Sequence, residues 1–300
     1  MTSLKRIIYV GSKSYLSLKQ EQLLIENREN GDVNSIPIED IASLELDNHS
    51  IVISVQAIRK LSENNVVVMF CDDKHIPLSL ALPIAGNFQL TKRFHAQLSV
   101  SKPRQKNLWQ QIIRAKIKNQ AAILKLYGKD HIALLKLAEN VKSGDSTNRE
   151  AAASKYYWKT LFDEIGFRRD PEGDYPNNML NYGYIVLRSL VARALVSTGL
   201  NPSLGIFHKN QFNPFCLADD MMEPFRPVVD KIVFEKYSKL TDDLILSKEH
   251  KRAILEFSIQ DMKIEAETHP LMIAVQILCN DLNKVYAGVS QTLNLPQLCD

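Results

Sequence analysis

Residues 82–89 read LPIAGNFQ, and the chain changes character on either side of them. A proline, a glycine and an asparagine within so short a stretch interrupt helix and strand patterns alike, as an interdomain connection does. Upstream, KRIIYV, YLSLKQ, EQLLIE, SIPIED, ASLELD and NVVVMFC are short apolar or alternating runs, punctuated by Gly11-Ser12, Gly31-Asp32 and Asp47-Asn48. They read as strands with several antiparallel pairings, interrupted by one helix at about 54–63 (VQAIRKLSE). Downstream, the apolar spacing is helical nearly to the end. Expected helices cover about 89–99, 104–127, 130–142, 148–164, 177–198, 217–238, 248–260 and 264–293. The pattern predicts an α+β protein: a small β-rich domain with one helix over 1–85, then a larger all-α domain over 86–300.

Three hundred residues, 45% of them hydrophobic and 24% charged, suffice for two cores. Cys71, Cys216, Cys279 and Cys299 form no CxxC pair, which argues against a disulfide framework and a structural zinc site. The apolar run near the N-terminus is broken at Gly11-Ser12-Lys13, so no signal peptide is expected. No apolar stretch reaches the roughly 18 residues of a membrane span. A cytoplasmic protein with reduced thiols and no membrane partner is expected.

The net charge of +3 hides a segregation. From Lys74 to Lys129 there is no acid, and the Lys and Arg residues of that segment carry +11, leaving −8 for the rest of the chain. Such asymmetry suits a polyanion partner, although a solvated basic face produces the same pattern. Within the expected helix at 104–127 and just beyond it, Arg114, Lys118, Lys125 and Lys129 share a narrow arc, with Leu108, Ile112, Ile123 and Leu126 roughly opposite. A basic stripe of this kind can lie along a phosphate backbone. Lys92, Arg93, Arg104, Arg114, Lys118, Lys125 and Lys129 are the candidate DNA contacts.

Three places could carry chemistry. In GDSTNREAAASKYYW (144–158), Glu150 opens a helix, and Thr147-x-x-Glu150 also fits a capping box. In SLGIFHKNQF (203–212), His208 follows an apolar run and precedes a polar turn; a lone histidine is more often structural. In QFNPFCLADDMMEPFRP (211–227), Asp220 and Glu223 share a helix face, and Asp219 reads as a helix cap or a solvent-facing acid. Taken together, carboxylates plus one imidazole suit Mg²⁺ or Mn²⁺ better than Zn²⁺ or Ca²⁺. A hard cation beside a basic surface suits phosphodiester chemistry. No phosphate-binding GxxxxGK[ST] loop and no nucleophile elbow is present. Tyr156, Tyr157 and Trp158 could stack on bases or belong to the core. Gly183 reads as a close-packing residue, and Arg188 and Arg193 as groups that face DNA or pair with acids.

Four stretches, GDSTNREAAASKYYW, NNMLNYGYIVLRSLVARALVSTGL, NPSLGIFHKNQFNPF and LADDMMEPFRPVVD, resemble the CRISPR-associated spacer-acquisition integrases, the "Cas one" family, in the form found in type II systems. Glu150 and His208 are 58 residues apart, and His208 and Glu223 are 15 apart, which are family-like separations. The resemblance implies a divalent metal, Mg²⁺ or Mn²⁺, held by Glu150, His208 and Glu223, with Asp220 auxiliary. It implies dimerisation through the β-rich domain and assembly with a small "Cas two" protein; further type II adaptation proteins and the effector nuclease are candidate partners. The implied substrates are duplex DNAs, a prespacer whose 3′-hydroxyl attacks a phosphodiester of the CRISPR repeat by transesterification. Endonuclease activity is implied when water replaces the hydroxyl. A non-catalytic nucleic-acid scaffold and a general metal-dependent repair nuclease are the competing readings.

Overall fold

A computed structural model describes residues 5–73, 75–84, 86–163, 167–237 and 246–299. Lys74 of the acid-free segment, Ala85 of the connecting stretch, and the expected helix ends at Glu164 and Ser238 lie outside the described residues. The chain divides into two compact units, Met1–Phe88 and Gln89–Asp300.

The first unit holds β1 (Arg6–Val10), β2 (Ser14–Lys19), β3 (Gln22–Asn27), β4 (Val33–Pro37), β5 (Ile41–Leu46), β6 (Val52–Ile53), α1 (Val55–Glu63), β7 (Val67–Cys71) and β8 (Pro77–Ala81). They form two four-stranded sheets, ordered β1-β5-β7-β8 and β4-β3-β2-β6. The expected antiparallel pairing is found in β2-β3-β4 and in β7-β8. The pairs β1-β5, β5-β7 and β2-β6 are parallel: the chain passes through the second sheet between β1 and β5, through β6 and α1 between β5 and β7, and through β5 of the first sheet on its way from β2 to β6. Leu16, Leu23, Ile41, Leu44 and Leu61 form the centre of its core.

The second unit contains α2 (Leu90–Leu98), α3 (Lys102–Leu126), α4 (Ile132–Glu139), α5 (Arg149–Leu161), α6 (Asn177–Ser197), α7 (Cys216–Met222), α8 (Arg226–Tyr237), α9 (Lys248–Leu255) and α10 (Leu271–Tyr286). Helix α3 packs against α4, α5 and α8, whereas α6 packs against α7, α8, α9 and α10. Gly183 permits one of these contacts: a Cβ there would lie 2.5 Å from Val229 and 3.0 Å from Ile254. Leu108, Ile112 and Ile123 are buried as their spacing predicts, but Leu126 is exposed.

Two helix expectations change in detail. The run over 217–238 is α7, a 3-10 turn at Glu223–Phe225, and α8. Pro224 and Pro227 lack the amides a continuous helix needs, and Asn119 on α3 donates to the Pro224 carbonyl at 2.8 Å. The run over 264–293 begins instead as a hairpin of β9 (Asp261–Ile264) and β10 (Glu267–Pro270), joined by β11 (Gln297–Leu298), so the helical unit carries a small sheet. Met262 and Ile264 are buried between exposed Asp261 and Lys263, which is strand periodicity.

Candidate functional site

Glu150 sits in the first turn of α5. The capping box expected from Thr147 does not form. Asn148 takes the cap position in a left-handed conformation, and the Asp145 carboxylate accepts from the amides of Arg149 (2.8 Å) and Glu150 (3.0 Å). The Glu150 side chain is therefore not spent on its own helix. Its Oε1 lies 2.5 Å from Lys116 Nζ and accepts from the Ser154 hydroxyl at 3.1 Å.

The same ammonium lies 2.7 Å from Glu223 Oε2. Glu223 begins the 3-10 turn between α7 and α8, where the helix break turns it toward α3. Its Oε1 pairs with Arg226 at 3.0 Å. Burial works against ionisation of Glu223, yet Arg226 and Lys116 prevail and hold its carboxyl below the usual range. Burial likewise opposes the charge on Lys116, but Glu223 and Glu150 raise its pKa above the ordinary value. Lys116 thus gathers two carboxylates from separate elements.

His208 stands on the loop before α7. Its Nδ1 is 2.6 Å from Asp220 Oδ1, while Asp220 Oδ2 accepts from the amides of Ile206 (2.5 Å) and Phe207 (2.9 Å). The hydrogen bond to Asp220 raises the His208 pKa, burial partly opposes this, and the charges of Asp220, Glu223 and Asp219 add to the rise. The ring stands edge-on to Trp109, at 5.6 Å between centroids, and Trp109 stacks on Phe207 at 4.3 Å. A side chain at Gly205 would collide with the loop, its Cβ falling 2.2 Å from the His208 carbonyl oxygen.

Asp219 is neither cap nor solvent-facing. It lies in the first turn of α7, where it is buried, pairs with Arg188 at 2.6 Å and accepts from Asn213 at 2.6 Å. Phe215 occupies the cap position.

A cleft of about 690 Å³ opens beside Glu150 and Lys116. Lys155, Lys159 and Arg168 on its wall are exposed, with Trp158 and Phe167 between them. Arg169, also on the wall, is held by Asn177 (3.0 Å) and Asn181 (2.5 Å). At the cleft floor Asp230 accepts a short hydrogen bond from Tyr184, and burial pushes its carboxyl up to about 7. Tyr157 is fully buried and belongs to the core, whereas Trp158 reaches the cleft.

The basic candidates divide. Arg114 donates to the carbonyls of Glu139 (3.3 Å) and Val141 (3.1 Å) at the end of α4, and Lys129 pairs with Asp163 at 2.5 Å. Arg93 bonds the Thr198 carbonyl, and Arg104 the Gln291 carbonyl at 3.1 Å. Lys92, Lys118 and Lys125 are exposed. Sequence reasoning missed the central role of Lys116 and the cationic wall of the cleft. Its available signal was position: Lys116, Asn119 and Gln120 fall on the apolar arc of α3 and are buried there.

Among the described residues, no three His, Cys, Asp or Glu side chains form a ready-made cage for a metal ion. The donors nevertheless fit a hard divalent cation in kind. Glu150 and Glu223 reach a common cation, and Glu223 Oε2 is buried without a hydrogen bond of good geometry. Asp220 engages Nδ1 of His208, leaving Nε2 as the ring nitrogen not engaged by Asp220.

Residues 7–256 match the family model described as CRISPR associated protein Cas1. The chain is 36% identical over 304 residues to a CRISPR-associated endonuclease Cas1 of Neisseria meningitidis serogroup C (strain 8013), covering 99% of this chain and 97% of that protein. A casposase bound to integration product shares the fold with a TM-score of 0.80 and 21% identity, over 96% of this chain and 92% of that one. A chain of a Cas6-RT-Cas1–Cas2 complex aligns with a TM-score of 0.74 and 20% identity, over 98% of this chain and 36% of that one. Among the described residues, no helix is long and apolar enough to cross a membrane.

Proposed function

The chain belongs to the Cas1 family of CRISPR-associated proteins, and from that premise we propose that it is a metal-dependent DNA integrase and endonuclease of spacer acquisition. The observation carrying the proposal is the meeting of Glu150 and Glu223 on one buried cation at the edge of a cationic cleft, with His208 held by Asp220. The substrates are a prespacer duplex with a free 3′-hydroxyl and the CRISPR repeat. The working assembly is a dimer, joined through the β-rich unit, with a small Cas2 partner. The endonuclease name of the Neisseria relative and the casposase and Cas2-complex neighbours support this reading.

Glu150, Glu223 and Nε2 of His208 would hold Mg²⁺ or Mn²⁺, with Asp220 orienting the imidazole. When bound, such an ion supplies electrostatic stabilisation of charge on phosphoryl and leaving oxygens. The chain's own residues do the rest. Asp220 keeps Nδ1 of His208 engaged, so the ring presents a defined nitrogen. Arg226 maintains Glu223 as a carboxylate. Lys155, Lys159 and Arg168 bind the strand's phosphates, and Trp158 offers a face to an unstacked base. The attacking hydroxyl comes from DNA in integration and from water in cleavage, so no protein nucleophile is needed.

The test combines the chain and its small partner with a prespacer and a repeat-bearing plasmid. Glu150→Gln and His208→Ala should lose integration while retaining DNA binding, and chelation should silence the wild type. Full integration by either variant overturns the assignment. Cleavage without any preference for the repeat would favour a repair nuclease.

A further inference from the structure

Lys116 projects from the apolar face of α3 and is only 7% exposed. Its ammonium lies 2.5 Å from Glu150 Oε1 and 2.7 Å from Glu223 Oε2, on the carboxylates assigned above to a divalent cation. Two cations cannot both occupy that position: they compete for the same lone pairs and repel each other at such spacing.

The surroundings suit an exchange. Glu223 keeps Arg226 on its other oxygen, 3.0 Å away, so it retains a counter-charge without Lys116. Glu150 keeps the Ser154 hydroxyl at 3.1 Å. Lys116 also borders the 690 Å³ cleft, which offers a solvent-accessible place for a displaced ammonium.

We propose that Lys116 is an intramolecular counter-ion of the metal site: it holds Glu150 and Glu223 together before the metal arrives, and a divalent cation binds by displacing its ammonium into the cleft. The inference rests on the metal-site reading above and assigns Lys116 as a positioning residue. Lys116 prevents the two carboxylates from repelling each other apart, at the expense of a weaker apparent affinity for the ion.

The experiment titrates Mn²⁺, and separately Mg²⁺, into the metal-free full chain at pH 8 without DNA, followed by calorimetry and by thermal melting. Lys116→Met and Lys116→Gln should bind the ion roughly tenfold or more tightly than wild type, within the usual range of site-to-site coupling. They should melt lower than wild type without metal and gain more on saturation. Lys116→Arg keeps a cation at the carboxylates and should not gain affinity. Lys116→Gln carries the comparison if Lys116→Met does not fold, because its amide still donates to a carboxylate. Wild-type binding that is abolished by Glu150→Gln, yet equal or weaker in both neutral variants, overturns the counter-ion proposal and leaves the metal site standing. No binding by wild type or neutral variants, or binding indifferent to Glu150→Gln, overturns the metal site and the proposal together.

Discussion

Asp220 grips His208 twice: its Oδ1 lies 2.6 Å from the imidazole Nδ1 and 3.2 Å from the His208 backbone nitrogen. The carboxylate is completely buried, and its other oxygen accepts from the two preceding amides. One side chain therefore fixes both the loop and the ring it carries. Donation of Nδ1–H to Asp220 selects the tautomer whose Nε2 lone pair can bind a metal.

That grip predicts a pH dependence. The pKa of His208 is raised above its ordinary 6.5, chiefly by the hydrogen bond to Asp220. A metal needs the neutral ring, so ion affinity should climb with pH through a midpoint above 6.5. Asp220→Asn removes the charge and should move the midpoint down. Stability runs the opposite way: a raised histidine pKa stabilises fully below the unfolded value, and that contribution is lost as pH rises through the folded value. The metal-free wild type should therefore lose more stability across this window than Asp220→Asn. NMR titration of the His208 ring and melting from pH 5 to 9 measure both; unchanged midpoints in Asp220→Asn would refute the coupling.

Gly205 is expected to tolerate no side chain. An alanine Cβ would meet the His208 carbonyl at 2.2 Å and Asp220 Oδ2 at 3.0 Å, and neither group can yield without moving the loop. Gly205→Ala should cost about 1–3 kcal/mol of stability. It should lower integration by on the order of a hundredfold through misplacement of His208. DNA affinity should stay near wild type, because the cationic cleft wall lies on other elements. Normal integration by a folded Gly205→Ala protein would contradict this account.

What the sequence shows clearly is whatever repeats with a period or stands in a motif. The change of pattern at LPIAGNFQ separates the β-rich unit from the helical one, and Leu108, Ile112 and Ile123 face inward as their spacing requires. Motif resemblance singles out Glu150, His208 and Glu223, and the fold brings the two glutamates onto Lys116. Local chemistry was harder to read. Thr147 reads as the cap of α5, but the left-handed turn at Asn148 puts the Asp145 carboxylate on the first amides instead. Asp219 and Asp220 are adjacent, yet one binds Arg188 on α6 and the other the loop of His208. Such partners are set by tertiary contacts with no sequence period. Lys116 was hidden for the opposite reason: in a run of basic residues it looks like any other surface charge, although it falls on the buried arc.

Asp230 should make the fold pay a pH-dependent penalty. Burial raises its pKa from 3.8 to about 7, beside the hydroxyl of Tyr184. A carboxyl whose folded pKa exceeds its unfolded one costs stability as pH rises from about 4 to 7, because the folded state holds the proton longer. Asp230→Asn removes that cost. It should therefore match wild type near pH 4 and exceed it at pH 8 by at most about 4 kcal/mol. Denaturant melts at the two pH values provide the check, and an advantage independent of pH would rule out titration of Asp230 as the cause.

Two basic surfaces are candidates to carry DNA. Lys155 and Lys159 stand about 6 Å apart along α5, on the wall of the cleft that begins at Glu150. Lys118 and Lys125 are the exposed members of the α3 stripe, whereas Arg114 is committed to the carbonyls at the end of α4. If the cleft carries the strand, each of Lys155→Ala, Lys159→Ala and Arg168→Ala should weaken DNA binding and flatten its log–log salt dependence by about one unit. Arg114→Ala should leave the salt slope alone and cost about 1–2 kcal/mol of stability, since its loss is two carbonyl bonds. Lys118→Ala with Lys125→Ala separates the surfaces. A slope change there, with none from the cleft variants, would place the DNA along α3 and make the cleft wall irrelevant to binding.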